Sequence, residues 1–154
     1  MTFSQPCRFC QSRAGGRAEV NIPGITFGAR YDGSPIIVAD GAPPPPDSAN
    51  VYVPTASPGG RAPHLWLDAE TSLFDRLGFA WTILRLGPSA PAVDALAAAA
   101  ARQGLALTVV DVARSDALEL YEAPLALIRP DQVVAWRGAR EADAVAALRI
   151  ATGG

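Results

Sequence analysis

The chain has 154 residues, 49% of them hydrophobic and 18% charged, with a formal net charge of −2. A chain of this length buries roughly 70% of the surface its unfolded form exposes, which is enough for a real core, and the composition excludes a disordered polymer. The near-neutral balance excludes a dedicated nucleic-acid binder, and the absence of lysine excludes lysine nucleophiles and Schiff bases.

Residues 1–60 read as an extended N-terminal arm or linker. Gly15-Gly16, Pro23-Gly24, Gly33 and Pro43-Pro44-Pro45-Pro46 interrupt any periodic pattern before an element can build. Only residues 36–38 and 51–53 carry the β-branched and aromatic content of strands, and the four prolines form a stiff polyproline spacer. Tyr31 and that spacer are candidates for docking, because a pre-extended segment loses little entropy when bound.

From Arg61 the pattern tightens, and residues 61–154 read as one folded domain. Residues 64–67 form a short strand. Thr71 or Ser72 then caps a helix carrying Leu73, Phe74 and Leu77, which Gly78 stops. Residues 79–86 are apolar and branched, a buried strand ending at Gly87-Pro88. Ser89 caps the next helix, with Pro91 in its first turn, Val93, Leu96 and Ala100 on one face, and Gly104 at its end.

Residues 105–112 form a second buried strand, parallel to the first because a whole helix intervenes. A short helix follows over Ser115–Tyr121. Leu125–Ile128 and residues 133–136 then make a hairpin around Arg129-Pro130-Asp131-Gln132, and Glu141–Ala151 closes the chain as a helix with Val145 and Leu148 inward. The order β-α-β-α-β-α-β-β-α, a parallel half followed by a hairpin and a terminal helix, predicts an α/β domain of thioredoxin-like arrangement with a mixed central sheet.

A redox thioredoxin needs its dithiol where the helix after the 79–86 strand begins. This chain has Gly87-Pro88-Ser89-Ala90-Pro91 there, so no disulfide exchange runs from that position. Pro124 stands where such folds often hold a cis proline. Cys7-Arg8-Phe9-Cys10 sits in the arm, away from any activating helix, and with His64 supplies three of the four ligands a structural zinc takes. The pair reads as free thiols.

His64, the only histidine, is the one side chain whose ordinary pKa lies near neutrality. With Arg61 it reads as a structural group at the domain entrance rather than as a general base. Asp68, Glu70 and Asp75 match what a helix N-terminus attracts. Trp66, Trp81 and Trp136 fall in strands, where large aromatics fill cores or interfaces. The chain contains no G-x-G-x-x-G, P-loop, H-E-x-x-H or G-x-S-x-G sequence.

Three separated motifs carry a family resemblance: Phe27-Gly28-Ala29-Arg30-Tyr31-Asp32-Gly33-Ser34-Pro35; Pro58-Gly59-Gly60-Arg61-Ala62-Pro63-His64-Leu65-Trp66-Leu67; and Ile128-Arg129-Pro130-Asp131-Gln132-Val133-Val134-Ala135-Trp136-Arg137-Gly138. In this order they resemble the carboxyl-terminal region of single-component FAD-dependent aromatic hydroxylases, the phenol hydroxylase and aromatic-polyketide hydroxylase branch. The resemblance implies a flavin domain, a substrate domain and a terminal thioredoxin-like domain without redox cysteines, of which only the last has a counterpart here. FAD and NAD(P)H are thus expected only for a full-length member, and none in this chain.

A truncated gene, a fragment and a separate small subunit all fit that pattern. The expected role is packing or association within an aromatic monooxygenase; the alternative is a stand-alone module that docks onto a separate flavoprotein hydroxylase or forms a homo-oligomer. Arg61, His64, Arg129, Asp131, Trp136 and Arg137 are structural or interface candidates, with no catalytic, cofactor-binding or metal-binding residue assigned. No apolar run approaches the ~20 residues that cross a bilayer, and residues 1–6 lack the layout of a secretory signal, so a cytoplasmic location is expected.

Overall fold

The computed structural model of the chain describes residues 22–154. Along them lie α1 (Pro23–Gly28), α2 (Leu73–Leu77), β1 (Trp81–Leu86), α3 (Asp94–Arg102), β2 (Leu107–Val112), α4 (Ser115–Tyr121), β3 (Leu125–Ile128), β4 (Val134–Gly138) and α5 (Glu141–Ala151). The strands form one sheet in the order β2-β1-β3-β4. β1 and β2 are parallel, with Trp81 opposite Leu107 and Leu86 opposite Val112, as the intervening α3 requires. β3 runs antiparallel to both β1 and β4. This is the thioredoxin-like arrangement that the element order predicts.

Alternation along the strands builds two apolar layers. Leu84, Leu86, Ala126 and Ile128 face one side and pack with Leu73, Leu77 and Tyr121 of α2 and α4. Ile83, Leu125, Leu127 and Trp136 face the other side and pack with Leu96, Ala100, Ala144 and Leu148 of α3 and α5. The run of alanines at these helix positions lets the helices lie close to the sheet and to each other.

Several local expectations fail for identifiable reasons. Residues 64–67 make only a single bridge, Trp66 to Ser72, because this stretch folds back on α2: Leu73 N donates to Leu65 O and Leu67 N to Thr71 O. Residues 36–38 and 51–53 form no strand, and α1, hidden by the Pro23-Gly24 punctuation, forms in the arm instead. β2 lies at the sheet edge with Thr108, Val109 and Asp111 exposed, since among the described residues it has β1 as its only strand neighbour.

Ser89 does not cap α3. Arg85 holds the preceding loop extended by donating from Nε to Pro91 O (2.8 Å) and from Nη2 to Ala90 O (3.3 Å), and the helix starts at Asp94. The Glu141 carboxylate at the start of α5 accepts from Leu96 N at 3.1 Å and so satisfies a first-turn amide of α3 as well. Ser72 does cap α2, in a reciprocal box with Asp75, and Gly78 ends it at φ 57°. The peptide bond before Pro124 is trans.

Among the described residues, one side-chain ion pair crosses from the arm into the body. The Arg137 side chain on β4, 7% exposed, donates from Nε to Asp40 at 2.6 Å, from Nη1 to Tyr121 O at 3.1 Å, and pairs with Glu122 at 2.7 Å. Burial pushes the Asp40 carboxyl up, but hydrogen bonds from Arg137 and the Ala42 amide, with the Arg137 charge, outweigh it and hold the group below its ordinary range. A depressed carboxylate contributes stability above its unfolded pKa and loses it as pH falls through the folded value. Asp40→Asn therefore costs about 1 kcal/mol at neutral pH in denaturant titrations, and the difference from the parent chain closes as pH falls below about 4.

Candidate functional site

The Pro58 to Leu67 stretch owes its path to two glycines. Gly59 takes φ 91°, and a Cβ there would sit 3.2 Å from the Tyr31 carbonyl carbon; a Cβ on Gly60 would sit 3.2 Å from Ser57 O. Without side chains the pair reaches the outer edge of β4. Gly59 N donates to Val134 O (2.8 Å), Val134 N to Gly60 O (2.9 Å) and Ala62 N to Gln132 O (2.8 Å). Beyond it, Pro63 O accepts from the buried Tyr121 hydroxyl at 3.1 Å.

This register places Arg61 between two rings. Its guanidinium carbon lies 4.8 Å from the Phe74 ring centre and 5.7 Å from that of Phe27. Phe27 lies 6.0 Å from Tyr52 on one side; on the other, Phe74 lies 5.7 Å from His64, which meets Trp66 edge-on at 5.1 Å. Tyr52, Phe27, Arg61, Phe74, His64 and Trp66 thus form a continuous ladder. Burial pushes the Tyr52 hydroxyl pKa up, against the pull of the Arg61 charge. Phe27 is 44% and Trp66 56% exposed.

Among the described residues, Arg61 is the only half-buried or buried arginine without a carboxylate within 4 Å; Arg30, Arg85, Arg129 and Arg137 all have one. Its side-chain hydrogen bond goes to Gln132 Oε1 at 3.5 Å.

The other sequence candidates lie apart from the ladder. Arg129 and Asp131 pair two-fold, Nε to Oδ1 at 3.1 Å and Nη2 to Oδ2 at 2.9 Å, and staple the β3–β4 turn. Trp136 is 5% exposed in the layer under α5, and Arg137 is the tie to Asp40. Asp68 gives Oδ1 to the Glu70 and Thr71 amides, which hold its carboxyl below the ordinary range. Cys7 and Cys10 lie outside the described residues. Phe27, Tyr52 and Phe74 are the ladder members that sequence reasoning misses, because they come from three separated segments with no shared period.

Comparison with known proteins follows the same lines. A family model described as "Aromatic-ring hydroxylase, C-terminal" matches residues 55–153, and the chain belongs to that family. It is 34% identical over 140 residues to a tetracenomycin B2 monooxygenase-dioxygenase of Streptomyces olivaceus, covering 83% of this chain and 25% of that one. It is also 34% identical over 130 residues to aklavinone 12-hydroxylase RdmE of Streptomyces purpurascens, covering 77% and 24%. Among solved structures, RebC with bound 7-carboxy-K252c matches at TM-score 0.77 and 34% identity, over 94% of this chain and 27% of that one. The chain spans about a quarter of the length of these relatives.

Relatives described as FAD-dependent raise the question of whether this region fits a flavin. The hollow bounded by α1, Tyr52 and Arg61 has a volume of about 30 Å³, below the several hundred Å³ of ligand pockets, while wider hollows beside α1 (about 490 Å³) and beside β2 (about 670 Å³) lie open to solvent. The loop from β1 to α3 offers no glycine-rich phosphate cradle, and Arg85 occupies its carbonyls. The β1–α3 loop and the small α1 hollow therefore do not form a flavin site.

The ladder is a surface feature and Trp136 a core one, which stability separates. Trp136→Ala should cost about 3–5 kcal/mol, and Trp66→Ala less than half as much, both read from denaturant midpoints.

Proposed function

We propose that this region is a packing and association domain of a cytoplasmic FAD- and NAD(P)H-dependent aromatic-ring hydroxylase, and that it contributes no catalytic group of its own. In this reading residues 1–60 form the connecting arm and residues 61–154 the thioredoxin-like domain. The observation that carries it is the match to the terminal quarter of enzymes described as monooxygenases and hydroxylases, joined to a β1–α3 loop that offers no phosphate cradle. The family's chemistry, ring hydroxylation at a flavin, belongs to the portion of the enzyme that binds it.

A second reading, a stand-alone module that docks onto a separate hydroxylase or onto its own copy, draws on the exposed Tyr31, Val51 and Val53 of the arm. In both readings the chain works by contact.

The test is direct. Purified chain titrated with FAD shows no saturable quenching of flavin fluorescence, and no NAD(P)H oxidation appears when phenols are added. Saturable binding with turnover by the chain alone overturns the proposal.

A further inference from the structure

The large exposed hydrophobics are unevenly placed. Ile25, Phe27, Tyr31, Val51, Val53 and Trp66 lie between residues 25 and 66, against Phe79, Val109 and Ile150 from all the rest of the described chain. The ladder runs through this region and joins α1 to α2. It combines aromatic rings with a guanidinium, the residue types that dominate binding energy at protein interfaces. We propose that the ladder is the surface on which the flavin-bearing portion of the hydroxylase docks, with an acidic side chain of that portion meeting Arg61. This inference rests on the packing role proposed above and names the face that performs it.

Two observations select the occupant. The family model is a C-terminal one, so in the relatives the flavin-bearing portion precedes this region, and the RebC match covers 94% of the chain, reaching well before residue 55. The preceding chain therefore arrives at α1, whose Phe27 is a rung of the ladder. The second observation is charge. Arg61 is held half-buried between rings with no carboxylate of the described residues to pair it, and a complementary surface supplies one. A second copy of this chain does not: a two-fold contact sets ladder against ladder and brings two uncompensated guanidinium groups together.

The opposite end of the sheet is guarded. The edge strand β2 exposes Asp111, paired with Arg85 at 2.7 Å, a charge of the kind that discourages strand addition.

The experiment fuses the full chain in place of the matching region of RebC, purifies the FAD-loaded protein, and compares hydroxyl-radical oxidation of side chains, read by mass spectrometry, with that of the free chain. Co-expression of the same two parts serves where the fusion does not hold FAD. Trp66 and Phe27 should oxidise about fivefold more slowly in the complex, as burial at an interface requires, while Phe79, 98% exposed, keeps its rate. Arg61→Glu should return Trp66 and Phe27 to the free-chain rate.

Protection at Phe79 or Val109 without protection of the ladder overturns this inference and leaves the packing role standing. No protection anywhere overturns both. Protection of the ladder in the free chain that rises with its own concentration assigns the face to a second copy and also overturns the inference.

Discussion

The outer edge of β4 carries amides and carbonyls that must find partners, and residues 59–62 supply them. Three backbone hydrogen bonds of 2.8–2.9 Å, from Gly59, Val134 and Ala62, close that edge. The closure is possible because Gly59 and Gly60 present no side chain to Tyr31 and Ser57. Once the segment is held there, the next residues have little freedom: Ala62 is buried, Pro63 receives the Tyr121 hydroxyl, and Arg61 projects between Phe27 and Phe74. Val38, whose amide donates to Ala135 O, and Asp40, bound to Arg137, extend the same edge further along β4. The ladder is a consequence of this pairing, because neither ring alone fixes a long flexible cation.

Much of the fold is legible in the sequence because its signals are local. Glu141–Ala151 is helical over the bounds its acidic first turn and apolar spacing indicate, and the Ser72 cap and Gly78 stop define α2. The Pro-Asp turn between β3 and β4 likewise reads directly, whereas the buried strand expected over residues 79–86 begins only at Trp81 and leaves Phe79 98% exposed. What is not legible depends on distant groups. The start of α3 is set by a cross-strand arginine and by Glu141, 45 positions beyond the amide it satisfies. The exposure of β2 follows from its place in the sheet, which an apolar run of six residues does not encode. Arg61 and His64 stand out in the motif, but Tyr52, Phe27 and Phe74 join them only through tertiary packing.

The same scaffold lacks the redox loop of the fold. The loop that carries a dithiol in redox members of the fold is here tied down: Gly87 N donates to Val112 O, and Arg85 binds two loop carbonyls and Asp111. The packing role proposed above draws on the surface that the β4 edge positions.

Native-state hydrogen exchange tests that edge most directly. The account predicts that the Gly59, Ala62 and Val134 amides exchange as slowly as those of Ile83 and Leu84 in the sheet centre, with the denaturant dependence of global unfolding. Exchange of Gly59 and Ala62 near the rates of an unstructured peptide, while Ile83 stays protected, would show that the segment detaches from β4 on its own and would contradict the account.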